Sequence, residues 1–303
     1  MTRVGDATRY GYGDRIGQAI QIFRCTRLYV SRWLLPSSHF NLILTIDVSV
    51  DSVDSWPMMS SPWCMVSITA SYLLFVLKIG PVYMKDRQPY VLKNVIVLYN
   101  LVQVGISLYI AYLVLKASLT QCLSSLPLHN LSITLLFQLT TIMYYYHLAK
   151  ISEVLDTVFF ILRKKYNQAT FLHVYHHAMM IVTSWGILKY EPTYPTLFIR
   201  NINSFVHVIM YGYYALASFP SLAKYLWWKK YITKLQLIQF TLILIHFTLT
   251  FIFSECKPSF PLSITVFWNT TFFIYLFGKF YFDTYKKNKS RAEKSNGNIK
   301  KNN

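Results

Sequence analysis

Three imidazoles crowd one short stretch of this chain, His173-Val-Tyr-His176-His177. On a helix, offsets of three and four put all three on one face. Imidazole ligates metals, and it also works as acid, base or nucleophile near neutral pH; the spacing alone leaves both roles open. A second cluster, Lys150, Glu153, Asp156 and Thr157, falls within one sector of a helix. A third places Asn203 four residues before His207, with Met210 beside them and Tyr211 and Tyr214 continuing the stripe. A fourth spaces Thr233, Gln236 and Gln239 by three. Imidazoles beside carboxylates suit proton transfer or acyl transfer, and amides and hydroxyls suit stabilising a developing oxyanion. Plainer readings compete: Lys150 and Glu153 as an ion pair between adjacent turns, and the glutamines and tyrosines as interhelical hydrogen-bonding glue.

The elements that hold these residues are long and apolar. The chain has 303 residues, of which 54% are hydrophobic and only 14% charged, and its mean hydropathy is +0.33. That charge content is too low to coat a water-soluble surface. Seven stretches, 63–79, 95–115, 135–162, 169–188, 197–219, 232–253 and 262–282, are long enough to span a bilayer. Without strict alternation they read as helices. The fold class is therefore an all-α membrane protein, a bundle of seven transmembrane helices. Ionisable groups within such spans are expensive and mark function by default. With a rise of about 1.5 Å per residue, Asp156 lies roughly 10 Å inward of Arg163, and the four clusters can converge in one half of the bundle.

The formal charge of +18 comes from basic residues that punctuate the apolar runs, a pattern of membrane topology and not of nucleic-acid binding. The first connection carries Lys78, Lys85, Arg87 and Lys93, the third Arg163, Lys164 and Lys165, and the fifth Lys224, Lys229 and Lys230. The even connections are poorer, with Lys116, then Lys189 and Arg200, then Lys257. The positive-inside bias puts the odd connections and the C-terminus in the cytosol and the N-terminus on the far side. A polar chamber with a basic cytosolic rim suits an anionic, phosphate-bearing substrate. Residues 1–50 read as a poorly ordered N-terminal extension, 51–285 as the membrane domain, and 286–303 as a basic tail. Cys122 and Cys256 fall in the second and sixth connections, on the far side, and are expected to form a disulfide. Asn130-Leu-Ser132 is a glycosylation sequon expected on that side, whereas Asn269-Thr-Thr271 is expected buried in the last span.

In their order and spacing these pieces resemble the ELO family of very-long-chain fatty acid elongases. The resemblance rests on Lys150-Ile-Ser-Glu153-Val-Leu-Asp156-Thr157, Leu162-Arg163-Lys164-Lys165, His173-Val-Tyr-His176-His177, Asn203-Ser-Phe-Val-His207-Val-Ile-Met210-Tyr211 and Thr233-Lys-Leu-Gln236-Leu-Ile-Gln239. Gly80-Pro81, Met84-Lys85-Asp86-Arg87-Gln88-Pro89 and Tyr99-Asn100 also look like the family's first cytosolic loop and second span. Two regions depart: the first fifty residues have no counterpart, and an apolar run replaces the usual polar loop between Ala117 and Tyr144.

The resemblance implies an acyltransferase (a 3-oxoacyl-CoA synthase) with its helices around an acyl-chain tunnel. It would condense a long acyl-CoA with malonyl-CoA to a 3-ketoacyl-CoA, CO2 and CoA, with no cofactor or metal. Soluble condensing enzymes hold the acyl group on cysteine, but Cys25, Cys64, Cys122 and Cys256 lie away from the polar helix faces. Imidazole is then the nucleophile: His176 or His207, with its neighbour as general base, His173 and His177 alongside, and Asn203 orienting His207. Lys150, Glu153, Asp156, Thr157, Arg163, Lys164, Lys165, Tyr211, Gln236 and Gln239 would bind substrate. Membrane lipid, the ketoacyl reductase, dehydratase and enoyl reductase of the elongation cycle, and a second copy of the chain are the expected partners. Lys300-Lys301 matches a dilysine retrieval signal and points to the endoplasmic reticulum membrane. The alternative is a di-iron membrane desaturase or hydroxylase, which also carries an HxxHH box but needs about eight ligands; this chain has eight histidines in all, and His39 and His129 lie outside the spans. A seven-span receptor or transporter would leave the buried carboxylates and histidines without work.

Overall fold

A computed structural model describes residues 53–123, 128–192, 195–253 and 258–286. Those residues form helices and short connections, with no strand among them. We number the helices α1 (Pro62–Met84), α2 (Lys93–Leu123), α3 (Leu128–Ser152), α4 (Leu155–Leu162), α5 (Phe171–Tyr190), α6 (Pro195–Ala217), α7 (Lys229–Phe253) and α8 (Phe260–Tyr281). Short α4 continues α3, so the seven predicted spans correspond to seven helical segments. Four helical stretches, Pro62–Met84, Lys93–Ser118, Lys229–Phe253 and Phe260–Tyr285, are long and apolar enough to cross a membrane. The α3–α4 pair, α5 and α6 carry the polar clusters.

Local chemistry fixes where several helices begin. Ser61 caps α1 by accepting from Trp63 N, with Pro62 at the first helical position, where its missing N–H costs nothing. Thr170 caps α5 by accepting from His173 N, and Ser259 caps α8 by accepting from Leu262 N. The Thr170 cap sets the rotation of α5, because the imidazole run starts in the first turn.

The helices pack as a ring in the order α2, α3, α5, α8, α7, α6 and back to α2, with α1 outside against α5 and α4. Polarity is inverted relative to a water-soluble protein. Trp63, Leu77, Leu98, Ile245, Phe253 and Trp268 point outward, while Asn100, Gln103, Lys150, Glu153, Asp156, Asn203, His207 and Gln239 are buried. Helices in lipid gain nothing by hiding apolar faces from one another, so polar contacts and close packing hold such a bundle.

One end of the ring gathers the basic connections: Lys164 Nζ donates to Lys85 O (3.0 Å), Tyr90 N to Leu162 O (3.1 Å), and Lys93 lies 5.2 Å from the Phe219 ring. We call it the basic end. Here α4 closes with Lys164 N on Ile161 O and Lys165 N on Phe160 O, and Lys164 holds φ at 55°, the left-handed turn usually given to glycine. The opposite end is stitched by Lys189 to Asp54 (2.5 Å) and Met59 O (2.7 Å), by Trp185 Nε1 to Met58 O (3.2 Å), and by Ser259, which donates through N and Oγ to Glu191.

The structure revises several expectations. Helix α1 runs through Lys78, Gly80 and Pro81, which were expected in a connection, by way of a π turn at Phe75–Ile79. Helix α2 continues through Lys116 and Cys122, and α3 begins before Asn130, so the apolar run there extends the helices and the sequon lies on a helix. Arg200 is buried within α6 at 2% exposure, not a loop charge. The third span breaks at Glu153 and Val154. The N-terminal extension, the dilysine tail and Cys256 lie outside the described residues, and so does the Cys122–Cys256 disulfide.

Gly80 is where α1 meets α4: a Cβ there would sit 2.7 Å from Ile161 Cγ2 and 2.9 Å from Phe75 O. Gly80→Ala should therefore cost about 1–3 kcal/mol through overpacking, read as a lower unfolding midpoint in detergent micelles.

Candidate active site

The break in the third span leaves both of its carboxylates facing α6. Lys150 Nζ pairs with Glu153 Oε1 at 2.7 Å, both side chains 2% exposed. From α6, His207 Nδ1 lies 3.0 Å from the same oxygen, close enough for an ion pair but off the line of a hydrogen bond, so Nδ1 counts among the buried atoms without a hydrogen-bond partner. Past the break, Asp156 Oδ2 accepts from Tyr211 of α6 at 2.7 Å. Thr157 is turned toward α1, where its hydroxyl bonds Tyr72 at 2.9 Å. Glu153 and Asp156 thus meet α6 one turn apart, at His207 and Tyr211, and of the four residues Thr157 alone turns to α1.

The imidazoles of α5 form a fan rather than a stripe. His173 and His177 rings lie 4.4 Å apart, and His176 and His177 lie 5.4 Å apart. His173 leans on Phe160 of α4 (5.1 Å), and His176 on Phe273 of α8 (5.1 Å). Glu153 meets His207 of α6, and α3 packs against both α5 and α6, so the three helices adjoin. His173 Nε2, His177 Nδ1, Glu153 Oε2 and Gln239 Oε1 are all buried without a hydrogen-bond partner. Buried polar atoms are normally satisfied, so side chains that keep free donors or acceptors inside the ring are candidates for binding a polar group.

Other predicted residues are engaged elsewhere. Asn203 Oδ1 accepts from Tyr146 of α3 at 2.9 Å, so its recorded partner is Tyr146 and not His207. Gln236 donates to Met210 Sδ at 3.5 Å, tying α7 to α6, while Gln239 is buried at 3% exposure. Arg163, Lys164 and Lys165 sit at the basic end, with Lys165 exposed and Lys164 bonded to Lys85 O. Cys64, on α1, is a free thiol.

Sequence reasoning missed a supporting layer. Tyr99 of α2 donates to Ser152 O (3.3 Å) with its ring 6.1 Å from Tyr211, and Gln103 donates to Ser152 Oγ (2.8 Å). These hold the chain where the third span breaks. Tyr175 donates to Asn269 Oδ1 (3.2 Å), which confirms Asn269 as a buried packing amide. Tyr146 belongs to a run of three tyrosines, and composition alone does not say which of them faces inward. Its burial follows from being four residues before Lys150, one turn along the same face.

Among the described residues no three His, Cys, Asp or Glu side chains are grouped to hold a metal ion. Residues 57–293 match the family described as ELO: GNS1/SUR4 family. Over 254 residues the chain is 40% identical to very long chain fatty acid elongase 4 of Homo sapiens, covering 81% of this chain and 78% of the relative. It is 38% identical to very long chain fatty acid elongase 1 of Homo sapiens over 251 residues, 81% of this chain and 90% of that one. It is 37% identical to very long chain fatty acid elongase 2 of Rattus norvegicus over 251 residues, 81% and 88%. These relatives give the desaturase alternative no support.

Replacing Glu153 with Leu strands Lys150 as a buried, unpaired cation. The single variant should lose about 3–5 kcal/mol of stability, and the Lys150→Met/Glu153→Leu pair should recover most of it. Chemical unfolding in micelles checks both, and a double variant no more stable than the single one would mean the pair is not what the charges depend on.

Proposed function

The chain belongs to the ELO family of fatty acid elongases, and on that premise we propose that the buried cluster of α3 to α7 is the chamber in which it joins a long acyl-CoA to malonyl-CoA. The protein is a condensing enzyme of fatty acid elongation, an acyltransferase. The products are a 3-ketoacyl-CoA two carbons longer, CO2 and CoA.

The observation that carries the assignment of roles is the contact of His207 Nδ1 with Glu153 Oε1 at 3.0 Å, with Glu153 itself paired to Lys150. A carboxylate against one ring nitrogen orients an imidazole and stabilises its protonated form, the arrangement of a general base. His207 takes that role. His176, whose ring rests on Phe273 where an apolar chain can lie alongside, takes the acyl group. Its nitrogen attacks the thioester carbon, the C–S bond breaks, and the imidazole proton passes by way of His207 to the departing CoA sulfur. Malonyl-CoA then loses its carboxylate as CO2. The resulting enolate attacks the acyl carbon, the C–N bond breaks, and the departing imidazole nitrogen takes a proton from water. Tyr211, its one O–H given to Asp156, holds α6 against the third span, while His173, His177, Asn203 and Gln239 furnish polar contacts to the carbonyl oxygens. Lys85, Arg87, Arg163, Lys164 and Lys165 at the basic end receive the CoA phosphates. The acyl chain runs within the helix ring toward the opposite end, which is how a tunnel would arise.

That orientation puts the basic end in the cytosol and the N-terminus in the lumen of the endoplasmic reticulum, where a Cys122–Cys256 disulfide could form. The reductases and the dehydratase of the same cycle, and a second copy of the chain, are the proposed partners.

Microsomes containing the protein should incorporate labelled malonyl-CoA into 3-ketoacyl-CoA across a panel of acyl-CoA lengths. His176→Ala and His207→Ala should each lower condensation roughly 10²–10⁴-fold, and both should lose the release of free CoA from acyl-CoA supplied alone. If both variants release CoA normally, the acyl-imidazole route is wrong.

A further inference from the structure

A second polar tier lies deeper in the ring, outside the set used for condensation. Arg200 of α6 is 2% exposed. Its Nη1 donates to Thr196 O of its own helix at 2.9 Å, its guanidinium lies 5.4 Å from the Tyr146 ring, and its Nε is buried without a hydrogen-bond partner. No carboxylate among the described residues pairs with it. Beside Tyr146 in the chain, His147 is fully buried, its Nδ1 2.8 Å from Ser184 Oγ of α5, and its Nε2 also lacks a partner.

Three helices place this tier at one depth. Arg200 precedes His207 by seven residues on α6, His147 precedes Glu153 by six on α3, and Ser184 follows His177 by seven on α5. Each interval corresponds to about 10 Å along a helix axis, away from the basic end. Among the described residues the buried guanidinium meets one backbone carbonyl and one aromatic face, its Nε has no acceptor, and an alkyl chain beside it would not supply one. An acceptor oxygen would satisfy it. An extended chain of carbon–carbon single bonds advances about 1.3 Å per carbon, so the tier meets an acyl chain near its eighth to tenth carbon.

We infer that Arg200, Tyr146 and His147 form a polar collar that binds an oxygen function, hydroxyl or carboxylate, borne by the acyl chain about 10 Å from the reacting carbonyl. The inference rests on the reading of the ring as an acyl chamber. Arg200 supplies the charged donor through Nε, Tyr146 holds the guanidinium against its ring, and His147, fixed by Ser184, offers Nε2 as donor or acceptor. The collar makes the enzyme favour an oxygenated chain over a plain chain of the same length, because a site built to hydrogen-bond a polar group discriminates against the analogue that lacks it.

The test compares decanoyl-CoA, its ω-hydroxy form and its ω-carboxy form as acyl donors with malonyl-CoA, in parallel with long saturated acyl-CoAs. The expected result is a kcat/KM at least about ten-fold higher for an oxygenated form than for decanoyl-CoA, a ratio that Arg200→Met brings close to one. Arg200→Gln keeps a donor without the charge, so it should retain a preference for hydroxyl and lose one for carboxylate. The wild-type ratio and Arg200→Gln decide the matter even if Arg200→Met does not fold. Equal rates for plain and oxygenated chains in the wild type, or a ratio unmoved in Arg200→Met, overturn the collar while leaving elongation intact. Failure of every acyl-CoA, long saturated ones included, overturns the elongase chamber and the collar with it.

Discussion

A charge inside a membrane protein has to be compensated where it stands, and the Lys150–Glu153 pair meets that constraint in this bundle. Neither residue could hold its charge alone at 2% exposure. The pair fixes the inner face of α3, brings Glu153 against His207, and so sets the rotation of α6. Asn203 and Tyr211 lie on the same face of α6, at offsets of four on either side of His207, and each meets a partner from the third span, Tyr146 and Asp156. One ion pair thereby registers two helices over several turns.

The ring of helices turns that constraint into a usable interior. Because the lipid face is apolar, the polar groups have only the inside to occupy, and six helices of the ring each contribute: Gln103, Lys150, His177, His207, Gln239 and Asn269 are all buried. Aromatic rings, Phe273 and Phe277 above all, line part of the same interior beside His176. At the junction of α5 with α8 the two characters, imidazole and aromatic, adjoin within a few ångströms.

Much of this was legible in the residues. The HxxHH run, the Asn203–His207 spacing and the Lys150–Glu153 offset are periodic on a helix, so periodicity alone put each on an inward face, and hydropathy found the helices that bear them. What could not be read is whatever depends on a neighbour. The break after Ser152 is stabilised from α2 by Tyr99 and Gln103, far away in the chain. Thr157 matches its cluster by spacing, yet α1 claims its hydroxyl. Arg200 looked like a loop charge because it stands near the start of its helix, and only the packing of Tyr146 against it reveals that it is inside.

The two rims of the ring are fastened differently. Away from the basic connections, Lys189 reaches both Asp54 and Met59 O, Trp185 reaches Met58 O, and Glu191 takes two bonds from Ser259, so charged and bidentate links tie together segments that are distant in the chain. At the other rim Lys164 reaches Lys85 O and Lys93 the Phe219 ring, and among the described residues no ion pair joins the segments there. A bundle laced shut at its base and loosely closed at its neck yields first at the neck, so helix separation wide enough to pass a bulky nucleotide headgroup costs least at the rim where the lysines and arginines already stand.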